Sequence, residues 1–150
     1  MATERIPRMK IVQLNAWVVR IGRPVVELLT KEDADIVCLQ EIVSQAANMP
    51  SIIGTPLEDL QKQLGYNHVF FSPVFNFRIM NTIGKFGNCI FSKKPFDKKE
   101  VIFTNLELVE DFNFDDYDYN IRNLQHVVIK HKNKSLNILN HHGHHLPEHK

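Results

Sequence analysis

An unbroken apolar run, Ile36-Val37-Cys38-Leu39, lies between Asp35 and the pair Gln40-Glu41, and it constrains the fold more than any other feature of the chain. A strand with one wet face alternates apolar and polar side chains, because successive residues point to opposite sides. A continuous run fits a strand buried on both faces, as in sheets covered by helices.

The neighbouring segments supply the rest of such a layered fold. Lys10 to Asn15 is short, β-branched and followed by polar punctuation, and reads as a strand. Pro24 suits the first turn of a helix, and Val25, Leu28 and Leu29 then share one face. Residues 42 to 54 show no strong period and read as a loop. Thr55-Pro56-Leu57-Glu58 predicts a second helix start, with Thr55 as cap, Pro56 at the first position and Glu58 completing a capping box. Leu57, Leu60 and Leu64 give that helix its apolar face, and Gly65 its stop.

Strands are expected at His68 to Phe71, Asn88 to Ser92, Val101 to Leu106, Gln125 to His131 and Leu136 to His142. The acidic, aromatic stretch from Glu110 to Asp118 reads as a surface loop. Two helices near the start followed by many strands predict a mixed α/β layered fold rather than a bundle or an all-β sandwich. No repeat or linker divides residues 1–150, so a single domain is expected.

Composition narrows the function. Lys and Arg total 18 against 17 Asp and Glu, a net charge of +1, so no basic footprint announces nucleic acid. A small metal site can still bind phosphate without a basic surface. Cys38 and Cys89 both lie in apolar runs and read as buried free thiols of a reducing compartment, with a disulfide left open. Residues 1–10 hold no apolar signal core, and no stretch approaches the roughly 20 apolar residues of a membrane span. The expectation is a soluble, cytoplasmic protein.

Three polar residues fall at expected strand ends: Asn15, Glu41 and His142. Open α/β sheets gather ligand groups there. Each also has a plainer reading: Asn15 as a cap for the following turn, Glu41 as the point where a buried strand meets solvent. A carboxylate delivered to the edge of a core strand is a natural ligand for Mg²⁺, which takes one or two carboxylates and completes its shell with water and phosphate oxygens. Strand alternation puts Leu136, Ile138, Asn140 and His142 on one face and Asn137, Leu139 and His141 on the other. His141 and His142 should therefore not enter the same pocket.

Asn88, in Gly87-Asn88-Cys89-Ile90-Phe91-Ser92-Lys93, either opens a strand tightly or lies near substrate. Arg122 either contacts a phosphate or pairs with the acidic loop. These two are the candidate substrate-binding residues. The tail from Asn140 to His149 holds five of the eight histidines, a candidate site for Zn²⁺ or Ni²⁺, but its spacing matches no common zinc pattern.

These residues, in this order, resemble the endonuclease/exonuclease/phosphatase superfamily, which includes pancreatic-type deoxyribonucleases, abasic-site endonucleases, bacterial sphingomyelinases and inositol-polyphosphate phosphatases. Ile11 to Asn15 looks like the family's opening strand. Asp35-Ile36-Val37-Cys38-Leu39-Gln40-Glu41 is close to its "Asp-Ile-Val-x-Leu-Gln-Glu" signature. Gly87 to Lys93 looks like "Gly-Asn-x-Ile-Leu-Ser-Arg/Lys", and Leu136 to His142 is similar to the strand ending "Asn-Thr-His".

The resemblance implies a layered α/β/β/α sandwich, stopping after the first sheet and part of the second. It implies a Mg²⁺-dependent hydrolase of phosphate esters, a phosphodiesterase or nuclease, with Mn²⁺ as a substitute ion. Glu41 and Asn15 would serve the metal, and His142 and Asn15 the reacting phosphate. Two departures stand out. Trp17 occupies a region where some members carry an acidic residue, and the later "Gly-Asp-x-Asn" and "Ser-Asp-His" motifs, which would supply the general base, are absent. The chain alone is therefore expected to be inactive. The competing expectations are a catalytically inert, binding-only domain and a metal-binding protein acting through His144, His145 and His149.

Overall fold

The computed structural model of the chain describes residues 8–45, 54–79, 81–113 and 121–143. Their elements run β1 (Ile11–Asn15), α1 (Arg23–Glu32), β2 (Ile36–Ser44), α2 (Leu57–Leu64), β3 (His68–Ile79), β4 (Thr82–Ser92), β5 (Lys98–Asn105), β6 (Arg122–His131) and β7 (Lys134–His141), with a short turn at Trp17–Val19. The first sheet has four strands in the order β1-β2-β4-β3, and the second has three in the order β5-β6-β7. β1 runs parallel to β2, and the other pairings between these strands are antiparallel.

The apolar run in β2 is buried on both sides, as its composition predicts: Ile36, Val37, Cys38 and Leu39 are all 3% exposed or less. Val37 and Leu39 face the helices, where Val25 and Leu29 of α1 and Leu57 and Leu60 of α2 complete a core with Cys89 and Phe91 of β4. Ile36 and Cys38 face the other way and pack with Ile90 against Val127, Ile129 and Ile138 of the second sheet. A further inter-sheet cluster gathers Val43, Val74, Phe75, Phe77, Phe112 and Ile121. The result is helix on sheet on sheet, each layer burying the apolar face of the last. The outer face of the second sheet carries Ile102 and Leu139 at 48% and 62% exposure.

Several elements differ from the sequence expectation. The expected loop at 42–54 begins late, because β2 continues through Ser44 in register with β4. The capping box is not formed. Pro56 occupies the cap position without a side-chain cap, and Glu58 instead accepts from Ser44 Oγ at 2.6 Å and from the Gln45 N–H at 3.0 Å. It thereby ties the end of β2 to α2. Pro24 does sit in the first turn of α1, and Gly65 caps α2 in the left-handed region at φ 72°. β3 and β4 are much longer than expected and pair from His68↔Ser92 to Ile79↔Thr82. Cys38 and Cys89 are free and point into different layers, which closes the disulfide question. Among the described residues, no helix is long and apolar enough to cross a membrane. His144, His145 and His149, and the acidic stretch from residue 114 onward, lie outside the described residues.

Candidate active site

Glu41 does not end its strand; it interrupts it. Leu39 pairs with Cys89 and Ile42 with Gly87, so Gln40 and Glu41 together oppose Asn88 alone. Such a bulge inserts one residue and re-aims a side chain. Its effect can be followed along β2. Ile36, Cys38 and Gln40 face the second sheet, so strict alternation would send Ile42 there too. Instead Ile42 packs on the helix side and Val43 on the inter-sheet side. Glu41 is the extra residue, held at φ 58°, a left-handed conformation that costs a non-glycine residue roughly 1–2 kcal/mol. Strain of this kind tends to collect at functional sites.

β1 stops at Asn15, opposite Gln40, so Glu41 projects just beyond the last β1 pairing. There Asn15 Nδ2 donates to Glu41 Oε1 at 2.9 Å. Asn15 Oδ1 accepts from the Trp17 N–H at 3.0 Å, so both ends of this amide are used and it orients the carboxylate. His142 is the first residue after β7, not its last. Its Nε2 stands 3.5 Å from Glu41 Oε1, and both side chains are 22% exposed. His141 turns to the outer face, where its Nε2 lies 3.1 Å from Thr104 Oγ1. Strand alternation thus selects the histidine that meets Glu41.

The other two candidates are placed elsewhere. Asn88 is 2% exposed and donates through Nδ2 to Asn123 O at 3.2 Å and Asn123 Oδ1 at 3.0 Å. It looks into the space between the sheets. Arg122 is 5% exposed, and its Nε donates to the carbonyl of Gly143 at 3.2 Å. The bond ties Arg122 to the residue next to His142.

Asn88 belongs to a feature that the sequence reading missed. Gln40 Nε2 donates to Asn140 Oδ1 at 2.5 Å. Asn140 Nδ2 donates to Leu39 O, Cys89 O and Gln125 Oε1 at 3.0, 3.2 and 2.9 Å. Gln125 Nε2 continues to Phe70 O and Asn88 O at 2.9 and 3.2 Å. Asn123 closes the series, accepting from Ser72 Oγ at 3.2 Å and donating to Pro73 O at 3.1 Å. All these side chains are 3% exposed or less. The amides stitch the two sheets together under the site, and buried polar groups of this kind are tolerable only because each finds partners. The signal available in sequence was the placement of polar Asn123, Gln125 and Asn140 on strand faces that should meet a core.

The donor set suits a hard divalent cation. Glu41 Oε2 takes no hydrogen bond among the described residues, while Oε1 is held by Asn15. No cluster of three or more His, Cys, Asp or Glu side chains forms among the described residues. One carboxylate, completed by water and phosphate oxygens, is within the habits of Mg²⁺ and foreign to structural Zn²⁺.

Comparison with known proteins bears on this geometry. The profile of the Endonuclease/Exonuclease/phosphatase family matches residues 12–149. No curated protein matches by sequence. Among solved structures, an endonuclease/exonuclease/phosphatase family protein from Leptotrichia buccalis superposes with a TM-score of 0.63 at 13% identity, over 94% of this chain and 55% of its own. One from Beutenbergia cavernae gives 0.65 at 16% identity, over 89% of this chain and 38% of its own. D. rerio TDP2 complexed with single strand DNA product gives 0.55 at 17% identity, over 89% and 45%. At these identities the likeness establishes the fold. The chain spans about half or less of the length of these structures.

Proposed function

The chain belongs to the Endonuclease/Exonuclease/phosphatase family, and from that premise we propose that it contributes the metal carboxylate and the phosphate-facing histidine of a Mg²⁺-dependent phosphodiesterase acting on nucleic acid. The observation that carries the reading is the meeting of Glu41 and His142. One comes from a strained bulge of the first sheet and the other from the end of the second, and they approach to 3.5 Å with Asn15 fixing the carboxylate. The D. rerio TDP2 structure holds a single-stranded DNA product, and that favours nucleic acid over the other phosphodiesters.

Glu41 would hold the cation through the oxygen that Asn15 leaves open. When bound, a divalent cation supplies a Lewis acid for a phosphoryl oxygen and stabilises charge on the leaving oxygen. Asn15 keeps Glu41 in one orientation, so no reorganisation is required as the substrate arrives. His142 is placed to donate from Nε2 to a non-bridging phosphate oxygen, where charge builds in the transition state. Arg122, through Gly143, limits the movement of that imidazole. The general base comes from outside these 150 residues, supplied by further chain or by a partner.

The test is hydrolysis of a single-stranded oligonucleotide, with and without Mg²⁺, by a form carrying the missing motifs. Glu41→Ala should remove metal-dependent turnover. His142→Ala should lower it by roughly 10²–10³-fold, the usual effect of losing one transition-state donor. Full activity in either variant would overturn the assignment.

A further inference from the structure

Trp17 stands beside the site and has no part in the chemistry above. It opens a turn in which Trp17, Val18 and Val19 all adopt left-handed backbone, at φ 44°, 60° and 54°. For β-branched Val18 and Val19 this is strongly disfavoured. The turn is nevertheless clamped at both ends. The Ala16 N–H donates to Gln40 O at 3.0 Å, and the Thr55 N–H donates to Val18 O at 3.1 Å. Val19 is fully buried in the helix-side core. Gly54 lies so close that a Cβ there would meet Val18 O at 2.0 Å.

The outcome of this strain is that Trp17 is turned outward, 52% exposed. The Arg20 guanidinium lies over its ring, 4.9 Å from the centroid. The N–H of Trp17 bonds Asn15 Oδ1, and Asn15 bonds Glu41. The pair is therefore two hydrogen bonds from the metal carboxylate.

We infer that Trp17 and Arg20 form a recognition platform for a single-stranded nucleic acid, the indole stacking on a base and the guanidinium meeting a neighbouring phosphate. This deepens the reading of the site proposed above and rests on it. A planar base stacks on an indole without regard to sequence. A guanidinium can lie on an aromatic face while its N–H groups engage phosphate. The same guanidinium argues against a choline headgroup, because a quaternary ammonium would meet a cation already on the ring.

Trp17 is the single tryptophan of the chain, so tryptophan fluorescence, excited beyond the tyrosine absorption, reports on this platform alone. The chain would be titrated in EDTA, without the cation that turnover needs, with an oligothymidylate of about eight nucleotides, within the usual single-strand site sizes. An abasic oligomer of equal length and phosphocholine serve as controls. Saturable quenching by oligothymidylate alone is expected. Absence of quenching, or equal quenching by the abasic oligomer, overturns the platform. Because binding is read here without metal and turnover above with it, failure of the platform and failure of the catalytic assignment are separate results. Anisotropy of a labelled oligothymidylate adds a second check. Trp17→Ala should weaken binding roughly 5- to 100-fold and Trp17→Phe should recover most of it. Arg20→Gln should flatten the salt dependence by about 0.7 in slope, one phosphate contact on a single strand. Unchanged affinity in Trp17→Ala, or an unchanged slope in Arg20→Gln, would sink the corresponding half of the proposal.

Discussion

Replacing Asn140 by aspartate should destabilise the protein in a way that depends on pH, whereas replacing it by leucine should destabilise it equally at every pH. Asn140 Nδ2 faces three oxygens, Leu39 O, Cys89 O and Gln125 Oε1. Only Oδ1 faces a donor, Gln40 Nε2. Leucine keeps the volume but leaves Gln40 Nε2 and Gln125 Oε1 without those partners. At roughly 1–3 kcal/mol for each orphaned buried group, the loss is about 2–6 kcal/mol, a large part of the ~5–15 kcal/mol available to a domain. An ionised aspartate is worse, since a buried carboxylate would face three acceptors and one donor, and an unpaired buried charge costs several kcal/mol. Protonated, it donates one hydrogen bond and approaches the leucine variant. Its folded pKa must therefore lie above the unfolded value of about 3.9. A raised folded pKa gives stability that is present at low pH and lost as pH rises through the folded pKa. Urea unfolding at pH 5 and pH 8 reads this directly. The gap between Asn140→Asp and wild type should widen at pH 8, with the gap for Asn140→Leu constant. A pH-independent aspartate variant, or a leucine variant within about 0.5 kcal/mol of wild type, which is the range of innocuous surface changes, would refute the account of the amide series.

Gly87→Ala should be strongly destabilising, by more than about 2 kcal/mol in urea unfolding, because a Cβ there would lie 2.0 Å from Ser72 O and 2.7 Å from Pro73 Cα; a neutral effect would mean that β3 and β4 can separate freely at that point. The thiols should resist alkylation in the folded state, since burial pushes Cys38 up to about 11 and Cys89 well above the ordinary range. The folded state then holds the Cys38 proton longer than the unfolded chain does, so its contribution to stability is present at neutral pH and lost as pH rises from about 9 to 11, at about 1.4 kcal/mol for each pH unit crossed. Rapid labelling of both thiols under native conditions at pH 8 would contradict this burial.

Much of the fold could be read from local pattern. The run Ile36 to Leu39 predicts a doubly buried strand, and Pro24 and Gly65 mark a helix start and a helix stop, each for reasons confined to a few residues. The site was legible as an ordered set: Asn15, Glu41 and His142 were singled out by their positions in strand patterns, and the alternation of β7 selected His142 over His141. The capping box at Thr55 to Glu58 was not reliable, because Glu58 had a better partner in Ser44, a residue distant in sequence.

What the sequence determined by itself was the set of elements and which polar residues stand at strand ends, because periodicity and side-chain chemistry are properties of neighbours along the chain. Only the tertiary structure decided how Glu41 is presented. A bulge is a disagreement in register between two strands, and β4 lies about fifty residues away from β2. The same holds for the amide series from Gln40 to Asn123, whose members look like misplaced polar residues until the two sheets are stacked and each finds its partner across the gap.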